Sequence, residues 1–538
     1  MEEADFIIVG AGSAGCVLAN RLSADPRHRV LVLEAGGSDV NFWVRMPIGY
    51  GKTFYHPKLN WRYVTEPIPG LNGHTNYWPR GRVLGGSSSV NAMVFIRGQR
   101  QDYDGWEKLG NPGWGFADVL PLFKRMEDNM AGADEWRGTG GPLSISDVSG
   151  RVHPLCDDYL AAGLAAGLPL NSDFNGVTQE GVGIYQITTR NGIRASAATA
   201  YLHPAMRRKN LQVVTGAHAT RILFEGRRAV GVEYRRGGQS LVVKARREVL
   251  LAAGAVNTPQ LLQLSGVGAT ELLARLGIHC VHASPMVGEN LQDHVGVDYL
   301  YRASRPTLNN VLRPWWGRLM VGSRYLLRRD GPLSLSVNQG GGFFRTDPAR
   351  DRPNMQLYFS PLSYIKAVPG KRQLMRPDPY PGFLLGVSNC HPTSRGSVRI
   401  RSRDPIAAPA IQPNYLATQE DVDELVEGAR FLRKMAETAP MAAIIAKELQ
   451  PGSHVQSRDE IETDVRERSS SIFHASGTCG MGPDPAQSVV DARLRVHGLE
   501  GLRVIDASIF PRLTAGNTNA PAIMVGEKGS EMVLADAR

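Results

Sequence analysis

The chain has 538 residues, of which 42% are hydrophobic and 21% charged, the balance of a folded globular protein. That excludes a disordered chain, a collagen-like repeat and a small disulfide-stapled scaffold. The formal net charge is +10, but the basic residues are scattered in short groups such as Arg207-Arg208-Lys209 and Arg328-Arg329. Charge of this kind reads as a solvated surface, and no nucleic-acid partner is expected.

Five dispersed cysteines, Cys16, Cys156, Cys280, Cys390 and Cys479, contain no CxxC pair. They argue against a disulfide framework and against a structural zinc site, so no metal is expected. No apolar run approaches the ~20 residues of a spanning helix. The acidic start, Met1-Glu2-Glu3-Ala4-Asp5, runs straight into a strand and does not read as a signal peptide. The expectation is a soluble, cytoplasmic protein.

Phe6-Ile7-Ile8-Val9 is an apolar run of the kind a buried parallel strand requires. Gly10-Ala11-Gly12-Ser13-Ala14-Gly15 follows, then a helix carrying Val17, Leu18 and Leu22. A second strand, Val30-Leu31-Val32-Leu33, ends in Glu34-Ala35. This is a βαβ unit with GxGxxG at its turn. Gly10 permits the tight turn, Gly12 lets a pyrophosphate approach, and Gly15 lets helix and strand pack closely. The first helical N–H groups, at Ser13 and Ala14, face the phosphates, and Glu34 can hold ribose hydroxyls. The motif is a dinucleotide signature in its full context, and by itself it does not separate NAD from FAD. The embedded GxSxG-like string is no nucleophile elbow, because its serine lies inside the phosphate loop.

Residues 80–98 are rich in small side chains around Arg82, Val83, Gly86, Asn91, Met93 and Val94. Such a stretch can lie flat against a ligand and offer it successive backbone N–H groups. As a bare pattern it is also compatible with a flexible loop. Leu211–Val214 and Val230–Tyr234 alternate and read as a hairpin-rich meander. Val249–Ala253 reads as a strand, Thr258-Pro259 as the N-cap and first residue of a helix, and Gly266 as its stop. Further on, Val398–Arg401 reads as a strand of a second sheet and Asp421–Ala436 as an amphipathic helix. Near the C-terminus come Phe473-His474-Ala475-Ser476-Gly477-Thr478, an apolar strand ending at Asp506, and Asn517-Thr518-Asn519-Ala520-Pro521 opening a helix.

Two of these stretches together resemble the signatures of the glucose–methanol–choline (GMC) oxidoreductases. Residues 80–98 are similar to the first, and Gly254-Ala255-Val256-Asn257-Thr258-Pro259 through Gly268 to the second. The wider chain resembles the bacterial branch that holds choline, sorbose and alcohol dehydrogenases. The resemblance implies FAD rather than NAD, and oxidation of a small-molecule alcohol. Its fold would be α/β, with a Rossmann-like FAD-binding domain of residues 1–150, 190–300 and 465–538. A second, α+β substrate domain on an antiparallel sheet would take 151–189 and 301–464.

The family carries a His in a His-x-x-Gly-Thr context and a His or Asn about 43 residues later. His474 matches the first, as the acid/base, and Asn517 the second, with Asn519 as its rival. A neutral imidazole suits proton removal near pH 7. Asn519 is otherwise expected to cap its helix or touch the flavin, beside Thr518. Asp506 is expected near the ribityl or pyrophosphate, and the Ala219 backbone near the adenine. Ala475 stands where the commonest family form has Pro. Val90 stands where some members carry a His bonded to the flavin, so FAD is expected to be non-covalent. Ile472 is expected close to the flavin face. Trp61, Trp315, Trp316 and Tyr358 are candidates for an apolar substrate pocket. A dehydrogenase passing electrons to a quinone or dye is expected over an oxidase using O2.

Overall fold

The computed structural model describes residues 3–365 and 376–537, so Met1 and Glu2 of the acidic start lie outside it. The first apolar run forms the strand Glu3–Val9, which pairs in parallel with Val30–Glu34, from Phe6↔Val30 to Val9↔Leu33. Both are buried on two faces, which is why they are continuously apolar rather than alternating. The helix Ser13–Leu22 crosses between them.

On one side the sheet continues with Leu211–Thr215, parallel to Val30–Glu34. On the other side lies Gln239–Leu251, a 13-residue strand with two jobs. Its end, Glu248–Leu251, runs parallel to Phe6–Val9 and to Leu502–Val504. Its beginning pairs antiparallel with Arg228–Arg236, which in turn pairs with His218–Glu225. The meander is therefore built from 218–251. Leu211–Thr215 is not part of it, because its apolar side chains complete the parallel sheet at the far edge.

The second sheet is antiparallel throughout. Its order is Ile445–Gln450, Val295–Ala303, Gly382–Asn389, Met355–Ser360, Gly340–Phe344 and Gly181–Ile184, with Ser470–Ser471 also paired to Val295–Gly296. The helix Gln419–Glu437 covers one face, its Gly428 lying against Val387 and Met355. The strand Val295–Ala303 straddles the expected break at 300. Val398–Arg399 lies outside this sheet and pairs only in a two-stranded ribbon, Ser397–Arg399 with Ala410–Gln412. Among the described residues no helix is long and apolar enough to cross a membrane.

Candidate active site

A cavity of about 920 Å³ runs between the two sheets. One end is built by the βαβ turn. Gly10 has φ +100°, and a Cβ there would come within 2.5 Å of the Ala252 carbonyl oxygen. A Cβ on Gly15 would lie 1.9 Å from the Gly10 oxygen, so Gly15 serves helix–strand packing and does not reach the cavity wall. A Cβ on Gly12 would meet no atom closer than 3.7 Å. The space over Gly12 is open cavity, and a side chain there would fill it.

The helix Ser13–Leu22 starts with no side-chain cap and no acid in its first turn, and so does Asn519–Asp536. Their ends are tied by Ser13 Oγ donating to Asn519 Oδ1 at 2.8 Å. Asn519 is thus neither a cap nor the partner of His474. Two helix N-termini converge on one cavity, an arrangement that favours anionic groups. Glu34 lies in the wall with Oε2 accepting from Ala11 N and Oε1 from Gly36 N, at 2.8 and 2.7 Å. Burial pushes its pKa up, against the pull of these two N–H groups and the Arg82 charge.

Ala35, Ala219, Gly86, Asn91, Met93, Val94, Asp506, Thr518 and Asn519 also line the cavity. Arg82 and Val83 do not. The Arg82 guanidinium stacks over Trp61 at 4.8 Å, and Val83 is buried where it bridges Gly37. Asp506 holds three protein donors: Ser508 N at Oδ1, and Gly254 N and Thr258 Oγ1 at Oδ2. Its first task is to fix two turns of the wall. The cradle fits FAD. An uncapped helix end, a glycine floor and a buried carboxylate sit where a dinucleotide's phosphates and ribose need them.

The helix after Val249–Leu251 begins at Gly254, a turn before the expected Thr258, so Pro259 falls inside it. Proline has no N–H, which leaves the Ala255 carbonyl without its helical donor. Thr478 Oγ1 donates to that carbonyl at 2.7 Å. This bond ties the Gly254–Leu264 helix to the turn that carries His474.

His474 lies at the inner part of the cavity, 8% exposed. Phe473 precedes it at φ +71°, a conformation disfavoured for a bulky residue, and Arg80 Nη1 holds the Phe473 carbonyl at 2.7 Å. Asp293 Oδ1 accepts from the His474 backbone N at 2.6 Å. Asp293 Oδ2 accepts from Ser471 Oγ and Tyr415 OH.

The two imidazole nitrogens are distinguished by their partners. His294 Nε2 lies 2.9 Å from the Cys390 carbonyl oxygen, which can only accept, so Nε2 carries the hydrogen. Neutral His294 then has a lone pair on Nδ1. His474 Nδ1 lies 2.8 Å from it and donates, which leaves the His474 Nε2 lone pair facing the cavity. Asn517 Nδ2 is 3.1 Å from that atom. The Asn517 amide is oriented in turn, because Gln356 Nε2 donates to Asn517 Oδ1 at 3.2 Å while Gln356 Oε1 accepts from Tyr358 OH at 2.7 Å. Burial, then the neighbouring His294 and the Arg80 charge, hold the His474 pKa well below the usual imidazole range. Burial holds His294 down to about 4.

Sequence reasoning brought forward His474, Asn517 and the glycine cradle, and missed His294, Gln356 and Asp293. Part of the cavity wall is aromatic, with Tyr50, Phe54, Tyr55, Tyr358 and Tyr364, and the wall also holds Ile472, Leu384, Asp298 and Ser360. Trp61 lies at the nucleotide end. Trp315 and Trp316 are exposed on an outer helix and line no part of this cavity.

The GMC oxidoreductase family models match residues 4–296 and 392–526. The alcohol dehydrogenase [acceptor] of Pseudomonas putida is 46% identical over 98% of this chain and 95% of its own length. The mitochondrial choline dehydrogenase of Homo sapiens is 42% identical over 99% of this chain and 90% of its own. Among solved structures, pyridoxine 4-oxidase from Mesorbium loti superposes with a TM-score of 0.88 at 32% identity, covering 98% of both chains. With the glycine cradle, the His474–Asn517 pair and these matches in hand, the chain belongs to the GMC oxidoreductase family, and its chemistry is the FAD-dependent oxidation of an alcohol.

Proposed function

We propose that His474 is the proton acceptor and Asn517 the second anchor of the alcohol hydroxyl in this reaction. The observation that carries this reading is the 3.1 Å contact between Asn517 Nδ2 and His474 Nε2 inside the cavity. When bound, FAD supplies the two-electron acceptor that takes hydride from the carbinol carbon. His474 Nε2 removes the hydroxyl proton, and Asn517 N–H steadies the oxygen as its charge grows. The His474 Nδ1–H bond to His294 keeps the lone pair on the reacting side. Burial beneath the aromatic wall excludes water from these groups. The product is the aldehyde or ketone, with one proton left on His474.

FAD is held without a covalent bond, because Val90 offers no nucleophile where the wall passes the flavin region. The substrate class supported best is a primary alcohol with an apolar body, or a polyol, set among Tyr358, Tyr364, Phe54 and Leu384. A second reading, an alcohol bearing a cationic group, is favoured by the aromatic wall itself, whose ring faces suit a cation. The similarity to an alcohol dehydrogenase [acceptor] supports a quinone or dye over O2 as electron acceptor.

The test is anaerobic flavin bleaching with a panel of alkanols, aryl alcohols, polyols and choline, followed by admission of air. Bleaching by an alkanol or aryl alcohol with slow recovery in air is expected. His474→Ala should slow the bleaching by at least ~10²-fold with FAD still bound. An unimpaired variant removes His474 from the chemistry.

A further inference from the structure

The helix Trp315–Arg328 is amphipathic in the wrong sense for a covered surface helix. Its inward positions are Gly317, Val321 and Tyr325, spaced by four. Its outward positions carry large apolar side chains. Trp315, Leu319 and Leu327 are 71%, 63% and 84% exposed, and Trp316, Met320 and Leu326 are also more than half exposed. The patch extends beyond this helix. Phe42, itself exposed, meets Tyr325 with ring centroids 6.5 Å apart, and Val40 and Trp43 lie beside it on the exposed surface. Large apolar side chains gathered on one exposed helix face mark an interaction surface.

The charge around the face is one-sided. Residues 313–330 hold Arg313, Arg318, Arg324, Arg328 and Arg329 against a single acid, Asp330, which pairs with Arg324. Arg318 and Arg328 have no carboxylate partner among the described residues. Lys52, whose ammonium sits 5.7 Å from the Trp43 ring, feels the charges of both Arg318 and Arg376. Tryptophan and leucine flanked by arginine on one exposed helix is the composition that seats a helix in the interface of an anionic bilayer.

The face lies one layer from the cavity wall. Tyr50 and Tyr364, in the cavity wall, pack in one cluster with Leu308 and Leu312, the residues that lead into this helix. We propose that the Trp315–Arg328 helix, with Val40, Phe42 and Trp43, is the face by which this protein lies on an anionic phospholipid bilayer. The inference does not rest on the proposed catalytic roles. It brings the Tyr50 and Tyr364 side of the cavity wall near a phase in which apolar alcohols and electron acceptors concentrate.

The test is flotation of the FAD-loaded protein with vesicles of phosphatidylcholine and phosphatidylglycerol in equal parts, against pure phosphatidylcholine. Binding to the anionic vesicles at low salt is expected, weakened by added salt. The triple variant Leu319→Ser, Met320→Ser, Leu327→Ser should lose at least ~10-fold of it, and Arg318→Glu should weaken it too. Both variants should keep the flavin spectrum and alcohol oxidation with a water-soluble dye, which shows that they fold. Failure to float with anionic vesicles, or equal flotation of the triple variant, overturns the proposal. A dimer in sedimentation that the triple variant breaks, without vesicle binding, would assign the face to a second copy of the chain instead.

Discussion

The Nδ1 atoms of His294 and His474 face each other at 2.8 Å, and this contact sets which nitrogen of His474 keeps its lone pair toward the cavity. The order of donation runs from His474 through His294 to the Cys390 carbonyl. Removing His294 leaves the His474 Nδ1–H without its acceptor and lets the ring exchange tautomers. His294→Ala is expected to lower kcat by ~10–100-fold while FAD stays bound, the scale found when a group that orients a reactive imidazole is lost. The acid limb of its pH–rate profile should also move, since the neighbouring ring is one cause of the low His474 pKa. A lower melting temperature with an unchanged profile would mean that His294 only fills space.

The pH dependence has a definite sign. The folded-state pKa of His474 is depressed, so the neutral imidazole is present from well below 6.5 upward. kcat/KM should therefore pass through 6.5 without a break and fall only in more acidic solution. Stability follows the same direction. His294 titrates near 4 when folded and near 6.5 when unfolded. Its contribution, ~3 kcal/mol at 1.36 kcal/mol per pH unit, is present above 6.5 and is lost as pH falls toward 4. Melting temperatures measured between pH 7.5 and 4.5 check this, and His294→Gln should flatten the decline.

Gln356 controls Asn517 without lying beside His474. Its amide donates to Asn517 Oδ1 and to Tyr185 OH, and Tyr358 OH anchors its oxygen. Gln356→Met removes the donor that keeps the Asn517 N–H pointed at His474. The expected loss is ~10-fold in kcat with a smaller change in KM, and Asn517→Ala should cost more than Gln356→Met. Steady-state kinetics on the double variant would show non-additive losses if both act through the same N–H.

Thr478→Val keeps the shape of the side chain and removes the donor to the Ala255 carbonyl. A buried carbonyl left unpaired costs ~1–3 kcal/mol. Chemical denaturation should show a loss in this range. Activity should fall as well, because the same bond links the helix start at Gly254 to the turn carrying His474.

What was legible in the sequence was mostly local. The glycine turn, its flanking strands and the Gln419–Glu437 helix announce themselves because their periodicity and turn residues act over a few positions. His474 and Asn517 stood out only because their surroundings resemble a family. His294 follows Asp293 at the start of a strand with no motif, and only the fold brings it to His474, 180 residues on. Gln356 likewise depends on its place in the antiparallel sheet. The early start of the 254–264 helix was hidden because Pro259 reads as a first helical residue, and its tolerance inside the helix depends on a hydroxyl far along the chain. Trp315 and Trp316 are only candidates for a pocket in the sequence, because aromatic composition carries no information about which way a helix faces.

The bond between Ser13 and Asn519 spans almost the whole chain. The strand Leu502–Val504 and the helix Asn519–Asp536 finish a cradle begun within the first fifteen residues. During synthesis the nucleotide site therefore stays unfinished until residues 502–536 have emerged and folded back onto the strand Gln239–Leu251 and the first helix. A truncation that removes the Asn519–Asp536 helix leaves a chain with an intact glycine motif and an incomplete cradle around it.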